Sequence, residues 1–370
     1  MSAVSLPPVD QSTLASVAAS FAFDAEFIDG APHGNGLIND TFAISTQRSG
    51  QPLRFIFQRV NHHVFTDVPA LMENIQRVTA HVANKPIPAG RKALQLIPTR
   101  SGHAFHLDDD HCHWRCYNFI EGAATYDIIR SLKEARAAAF AFGNFQAQLA
   151  DLPGPRLHET IPDFHHTRQR LANLRAAIAA DVASRVSDVG PEIEFALARE
   201  PLANYLLNLH EAGLIPERIT HNDTKISNVM LDDKTGDAVC VIDLDTIMPG
   251  LALYDIGDLI RSATNPCLED ETDLSKVQVQ LPVFAQLVEG YLASTRSILN
   301  PTEIANLVIS GRLITYEIGL RFLTDYLNGD VYFRVKHPRH NLDRARGQFT
   351  LLRSMEAATD EMQQIVDQYS

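Results

Sequence analysis

The sequence predicts an α+β fold of two lobes, a small β-rich one followed by a larger, mostly helical one. Three observations predict it. The first 120 residues are strand-rich around one central helix. After Glu121-Gly122 the pattern turns helical. In that second part the one strong β signal is a pair of runs over 228–232 and 238–243. The boundary is therefore set at 1–120 and 121–370, and 370 residues suffice for two lobes and a large buried core.

Each element has a local reason. Residues 11–22 read as a short amphipathic helix. Residues 27–60 carry strand–turn–strand patterning. Ala31 to Leu37 form the turn, and Thr41-Phe42-Ala43-Ile44 and Arg54-Phe55-Ile56-Phe57 are β-rich runs around Gly50. Val68, Leu71, Ile75 and Val78 share one face of a helix over 68–83. Strands follow at about 94–98 and 111–120, separated by Ser101-Gly102. An Ala-rich helix over 130–150 stops at Asp151-Leu152-Pro153-Gly154-Pro155. Further helices are expected over 165–182, 191–212, 277–297, 301–327 and 339–367. Asp233-Lys234-Thr235-Gly236 joins the two late strands. No internal repeat or low-complexity linker interrupts the chain.

Composition excludes several classes. Lys plus Arg number 32 and Asp plus Glu 45, a formal net charge of −13, which argues against a general nucleic-acid binder. Four cysteines make no disulfide framework and suit a reducing, cytoplasmic setting; Cys240, in a β-rich run, is expected to be buried. The first residues lack a basic segment and a continuous apolar run, so no signal peptide is expected, and no run of 18 apolar residues predicts a membrane span. No obligate protein partner is evident.

The chemistry concentrates in Thr220-His221-Asn222-Asp223-Thr224-Lys225-Ile226-Ser227-Asn228, followed by Val241-Ile242-Asp243-Leu244-Asp245. His221, Asp223 and Asn228 fill the H-x-D-x-x-x-x-N form of a kinase catalytic loop, and Asp243 follows on an apolar strand. Phosphoryl transfer asks for these parts: a carboxylate to orient a hydroxyl and take its proton, and oxygen ligands for Mg²⁺ bound to ATP. Asp223 is the expected base, and Asn228 and Asp243 the expected Mg²⁺ ligands. Lys225 is positioned to reach the γ-phosphate as a point charge. On an extended chain Asp245 would share Asp243's face and serve the metal or the acceptor. An acidic chain still accommodates a nucleotide, because Mg²⁺ and a few local cations hold its phosphates.

Other segments fit nucleotide binding. Gly34, Asn35 and Gly36 in the first hairpin suit a loop whose backbone approaches phosphate oxygens. Tyr117, Phe119 and Ile120, ahead of Glu121-Gly122, suit a connection that sandwiches adenine and bonds its edge through the backbone. Protein kinases carry a Lys on the third strand paired with a helix Glu. Here that strand offers Gln58 or Arg59, with Glu73 the candidate acid, and alternation leaves open which of the two faces the phosphates. His111, Cys112, His113 and Cys116 do not make a zinc site, because a strand sends the two histidines and the two cysteines to opposite faces.

With these residues in view, the chain resembles the aminoglycoside phosphotransferase and choline kinase superfamily, and within it the N-acetylhexosamine 1-kinases. The narrower likeness rests on Phe57-Gln58-Arg59-Val60-Asn61, Ala70-Leu71-Met72-Glu73-Asn74-Ile75, Asp243 to Gly250, and Glu317 to Tyr326. It runs nearly end to end, from Pro32 to Arg346. The resemblance implies a protein-kinase-like fold and ATP-dependent phosphorylation of the anomeric hydroxyl of an N-acetylhexosamine. It also implies Asp255 as a brace for the catalytic loop, and Arg321 and Tyr332 as acceptor contacts. Arg261 is one turn from Asp258 and is expected to pair with it. Two other readings remain: a kinase for another small alcohol (homoserine, choline, an aminoglycoside or a different sugar), and a non-catalytic kinase-like binding module.

Overall fold

Alternating side chains sort the N-terminal sheet into an apolar face and a polar face, and the helices are distributed accordingly. The computed structural model describes residues 8–34, 38–86 and 90–370. Asn35 and Gly36, expected in the phosphate loop, lie outside the described residues. The fold is mixed α+β, as the sequence predicts, with two compact units. One runs up to Gly122 and includes Leu152–Ile161; the other comprises Ala123–Asp151 and Pro162–Ser370.

In the first unit the elements are α1 (Gln11–Ser20), β1 (Glu26–Pro32), β2 (Asp40–Arg48), β3 (Gln51–Val60), α2 (Val68–Ala83), β4 (Leu96–Ile97), β5 (His106–Leu107) and β6 (His113–Asn118). The strands form one sheet in the order β1-β2-β3-β6-β4, with β5 also pairing β6. Asp10 caps α1, its carboxylate accepting from the Thr13 amide at 2.8 Å. Leu14, Val17 and Ala18 of α1, with Phe21 just beyond it, then cover Phe42, Ile44, Phe57, Trp114 and Cys116 on one sheet face. Cys112 is buried in the same cluster. Burying these side chains contributes roughly 1.5–3 kcal/mol for each large one. Gly30 lets α1 come close, since a Cβ there would lie 2.6 Å from a Leu14 methyl.

In the second unit follow β7 (Ala123–Ala124), α3 (Leu132–Leu149), α4 (Thr167–Ala180), α5 (Gly190–Leu197), α6 (Glu200–Glu211), β8 (Arg218–Thr220), β9 (Val229–Asp232), β10 (Ala238–Val241) and β11 (Met248–Gly250). The chain ends with α7 (Ala252–Thr264), α8 (Leu281–Thr295), α9 (Pro301–Ala305), α10 (Leu307–Leu327), α11 (His340–Ala357) and α12 (Thr359–Tyr369). β9 pairs with β10 and β7, and β8 with β11, in two small sheets. The helices enclose one apolar core that includes Phe142, Ile260, Phe284, Leu313, Leu320 and Leu352. α3 and α8 approach closely at Gly290, where a Cβ would lie 2.3 Å from the Arg136 carbonyl oxygen.

Three expectations change here. Residues 191–212 form two helices, α5 and α6, because Pro201 starts a new helix and cannot continue the old one. The stretches 301–327 and 339–367 also break, at Asn306 and Ala358. α7 was not among the expected helix ranges, although the one-turn spacing of Asp258 and Arg261, which do pair at 2.8 Å, pointed to it. Every residue of it except Ser262 is buried, so it shows no polar stripe for periodicity to detect. Among the described residues, no helix is long and apolar enough to cross a membrane.

Candidate active site

The loop between β8 and β9 is held from below by α7. Asp255, buried in the first turn of α7, accepts from the His221 amide at 3.0 Å through one carboxylate oxygen. Its other oxygen accepts from the Asn222 amide at 2.7 Å. Burial pushes the Asp255 carboxyl above its usual range despite these bonds. The Thr224 hydroxyl donates to the Asp255 carbonyl. The Thr246 hydroxyl donates to the His221 carbonyl at 2.7 Å, and His221 Nε2 meets the Ile242 carbonyl at 2.9 Å. These bonds stabilise Asn222 at φ 63°, a left-handed conformation that turns the chain just before Asp223. The brace expected at Asp255 is therefore present in the geometry.

Asp223 sits partly open at the centre of this loop. Asn228 Nδ2 donates to its carboxylate at 2.9 Å and to its carbonyl at 2.7 Å. Lys225 Nζ lies 3.1 Å from the same carboxylate. Burial opposes the Asp223 charge, but Lys225, His221 and the Asn228 bond outweigh it and hold the carboxyl below its ordinary range. Asp223 is thus ionised at neutral pH, as a proton acceptor must be. The Asp223 charge raises the Lys225 ammonium well above its usual value. With Nδ2 of Asn228 committed to Asp223, its Oδ1 is the atom left to meet a cation.

Asp243 completes the acidic side. It follows β10 in a left-handed conformation, φ 61°, and Leu244–Thr246 then form a short 3₁₀ turn. The expected extended geometry is therefore corrected: Asp243 and Asp245 do not share a strand face. Asp243 is exposed and Asp245 buried. The protein mass around Asp243, then the Asp245 and Asp223 charges, push its carboxyl up to about 6. Crowded carboxylates of this kind suit a divalent cation, which relieves their repulsion. Among the described residues no three His, Cys, Asp or Glu converge on a metal. Mg²⁺ does not require three, since it is commonly held by one or two carboxylates plus phosphate oxygens.

A second buried pair braces the loop from α10. Glu317 accepts from the Thr167 hydroxyl at 2.5 Å and lies 2.8 Å from His165 Nδ1. His165 Nε2 meets the Asn222 carbonyl at 3.0 Å. Burial opposes both charges, yet each outweighs it for the other: His165 is raised and Glu317 lowered. One turn along α10, the Arg321 guanidinium lies 5.2, 5.9 and 5.5 Å from the ring centres of Phe164, Tyr332 and Phe333. Among the described residues it has no hydrogen-bonded or ion-paired partner. Arg170 is close enough that burial and then the Arg321 charge pull its guanidinium below the usual value. Asp325 holds the neighbouring segment, accepting from the amides of Val331, Tyr332 and Phe333 at 3.0, 2.8 and 2.9 Å. Arg321 and Tyr332, which the resemblance names as acceptor contacts, are neighbours in the structure. It misses His165, Arg170, Phe164 and the role of Asp325; the Glu317 to Tyr326 motif was the one signal that touched this region.

In the first unit, Gly34 has φ 73°, a conformation that favours glycine. The His33 ring lies 5.5 Å from that of Phe119. Tyr117 and Ile120 are buried, and among the described residues neither the amide nor the carbonyl of Ile120 has a hydrogen-bond partner. The Arg59–Glu73 pair is corrected. Arg59 lies on the apolar face with Phe57 and Trp114 and bonds Asp40 at 2.6 Å. Glu73 pairs with His158 at 3.0 Å. Gln58 occupies the opposite face, as alternation along β3 requires.

A sequence profile described as the phosphotransferase enzyme family matches residues 29–275, more than half of the chain. Among solved structures, a spectinomycin phosphotransferase in complex with ADP and spectinomycin is similar at TM-score 0.59 and 13% identity, covering 96% of this chain and 100% of that one. An aminoglycoside phosphotransferase from Alicyclobacillus acidocaldarius is similar at TM-score 0.57 and 13% identity, covering 99% of both chains. A choline kinase from Cryptosporidium parvum is similar at TM-score 0.53 and 13% identity, covering 94% of this chain and 92% of that one. At such identities the likeness concerns the fold, which is the protein-kinase-like one.

Proposed function

The chain belongs to the phosphotransferase enzyme family, and from that premise we propose that it transfers the γ-phosphoryl group of ATP to the anomeric hydroxyl of an N-acetylhexosamine. Asp223 accepts the hydroxyl proton as the new P–O bond forms. Asn228 Nδ2 fixes the carboxylate, and Lys225 leaves its ion pair with Asp223 to meet the transferring phosphoryl oxygens. Asn228 Oδ1 and Asp243 would hold Mg²⁺, which neutralises charge building on the phosphates. Gly34, whose φ of 73° favours glycine, is the described residue that the proposal assigns to nucleotide binding in the first unit. The Ile120 backbone bonds the adenine edge between Tyr117 and Phe119. Asp245 supports the acceptor side.

The observation that carries the acceptor class is Arg321, charged, ringed by Phe164, Tyr332 and Phe333, and beside a second arginine. Two cations disfavour a cationic choline or aminoglycoside. An acetamido carbonyl accepts a hydrogen bond from Arg321 while the sugar ring lies against Tyr332. An anomeric hydroxyl is more acidic than an ordinary alcohol, so Asp223 serves as base without a raised pKa. The test is ATP turnover on N-acetylglucosamine, N-acetylgalactosamine, glucose, choline, homoserine and an aminoglycoside, with phosphorus NMR of the product. The N-acetylhexosamines should be preferred and phosphorylated at the 1-position. A 6-phosphate, or preference for a cationic acceptor, overturns the reading.

A further inference from the structure

We infer that the acceptor carries a carboxylate, and that Arg321 and Arg170 form the cationic site that reads it. The inference rests on the N-acetylhexosamine reading and narrows it to sugars with an acid group in addition to the acetamido group.

The positive charge of this wall is unspent. Arg321 is half-buried, and among the described residues its guanidinium donors are unpaired and none of its nitrogens is sealed from solvent. An acetamido carbonyl uses part of this fork and neutralises none of its charge. Arg170 reaches the same place from α4. Its Nη2 donates to the Asp163 and Phe164 carbonyls at 3.0 and 2.7 Å, while the Arg321 guanidinium lies 5.2 Å from the Phe164 ring centre. Arg170 Nε is buried without a partner, and its Nη1 is unpaired and open to solvent. Burial, and then the Arg321 charge, pull the Arg170 guanidinium below its usual value, as two uncompensated like charges must.

The neighbouring acids do not neutralise the pair. Glu317 is committed to His165 and Thr167. The Asp325 carboxylate accepts from three amides and from Asn341 Nδ2 at 2.9 Å. Asp163 is exposed, and among the described residues it forms no ion pair with either arginine. In a chain of net charge −13, this is a local reversal of sign. A guanidinium fork matches a carboxylate with two parallel hydrogen bonds, and the flanking rings strengthen them by excluding water. Phe164 precedes His165, whose Nε2 meets the Asn222 carbonyl at 3.0 Å, so the arginine pair adjoins the loop that carries Asp223. An acceptor seated there also lies beside the ATP phosphates. Their negative field penalises a doubly charged phosphate more than a singly charged carboxylate, which selects the carboxylate.

The experiment compares kcat/KM, with saturating ATP and Mg²⁺, for four acceptors. These are N-acetylglucosamine, its 6-phosphate, N-acetylglucosaminuronic acid with the carboxylate at C6, and N-acetylmuramic acid with it on a lactyl ether at O3. One of the two acids should exceed N-acetylglucosamine at least about tenfold, and its preference should shrink as ionic strength rises. The acids present the carboxylate at different edges of the ring, so the better one identifies the edge that meets the arginines. Arg170→Gln should lower the ratio of the preferred acid to N-acetylglucosamine at least about fivefold. Arg170→Lys keeps the charge without the fork and should lower it less. A ratio of two substrates on one protein is insensitive to a general loss of folded enzyme. N-acetylglucosamine preferred to both acids, a ratio unmoved by Arg170→Gln, or preference for the 6-phosphate would overturn the inference and leave the N-acetylhexosamine reading standing. No turnover of any of the four would overturn that reading, and this inference with it.

Discussion

The proposed catalytic loop and the proposed acceptor wall are built to different standards. From Thr220 to Asn228, hydrogen bonds reach the backbone from Asp255, His165 and Thr246, and the pivotal Asn222 is held at positive φ. The acceptor wall has a rigid base, Asp325, but its working groups are loose. Tyr332 is 60% exposed, and Arg321 is flanked by rings and, among the described residues, has no hydrogen-bonded or ion-paired partner. Proton transfer tolerates little displacement of the base, so the loop is fixed by buried donors whose loss is costly. Recognition of the proposed sugar would tolerate more adjustment, and the wall is held only at its foot. Chemistry and specificity should therefore respond differently to mutation.

The largest effect is expected at the base. Asp223→Asn keeps the shape and its contact with Asn228 but cannot take a proton, and kcat should fall about 10²–10⁴-fold. ADP affinity should stay within about threefold by calorimetry. Activity within tenfold of the parent would remove Asp223 from that role. Next is the brace. Asp255→Ala leaves the His221 and Asn222 amides buried without acceptors, at a cost of about 1–3 kcal/mol each. Calorimetric stability and kcat should fall together, whereas a stability loss with full kcat would separate the brace from the chemistry.

The His165–Glu317 pair gives a pH test. His165 is raised from 6.5, so its contribution to stability is complete below pH 6.5 and disappears as pH rises through the raised value. Glu317 is lowered from 4.5, so its contribution is complete above pH 4.5 and disappears as pH falls through the lowered value. The Tm gap between the parent and Glu317→Gln should be widest between pH 4.5 and 6.5 and narrow on the alkaline side. A gap constant with pH would mean the pair is not ionised.

Smaller still are effects at the wall. Arg321→Ala should raise the acceptor KM about tenfold, equivalent to about 1.4 kcal/mol, with the ATP KM unchanged. Tyr332→Ala, which removes an exposed ring, should raise it less. A reversed order would make the ring, rather than the cation, the main contact.

The loop from Thr220 to Asn228 stands out in the sequence because the chemistry proposed for it demands fixed residue types at fixed spacing. The helix Val68–Ala83 was legible because one face is buried and the other wet. α7 was not, because burial on all sides erases periodicity. Gln58 and Arg59 could not be sorted by alternation alone; pairing with β2 and β6 was needed to say which face each joins. Asp243 and Asp245 read as one strand face because a single left-handed residue leaves no signature in so short a run. His165 and Glu317 are 152 positions apart, and no local pattern links them.

On the proposed function, the loop performs a phosphoryl transfer whose acceptor is chosen by the Arg321 wall. The most direct measurement is the ratio of kcat/KM for N-acetylglucosamine to that for glucose, in the parent and in Arg321→Ala. A site that hydrogen-bonds the acetamido group should reject the sugar lacking it. The ratio should be large in the parent and fall at least about tenfold in Arg321→Ala, while turnover with saturating acceptor changes little. A ratio near one in the parent, or a large ratio untouched by the substitution, would contradict it.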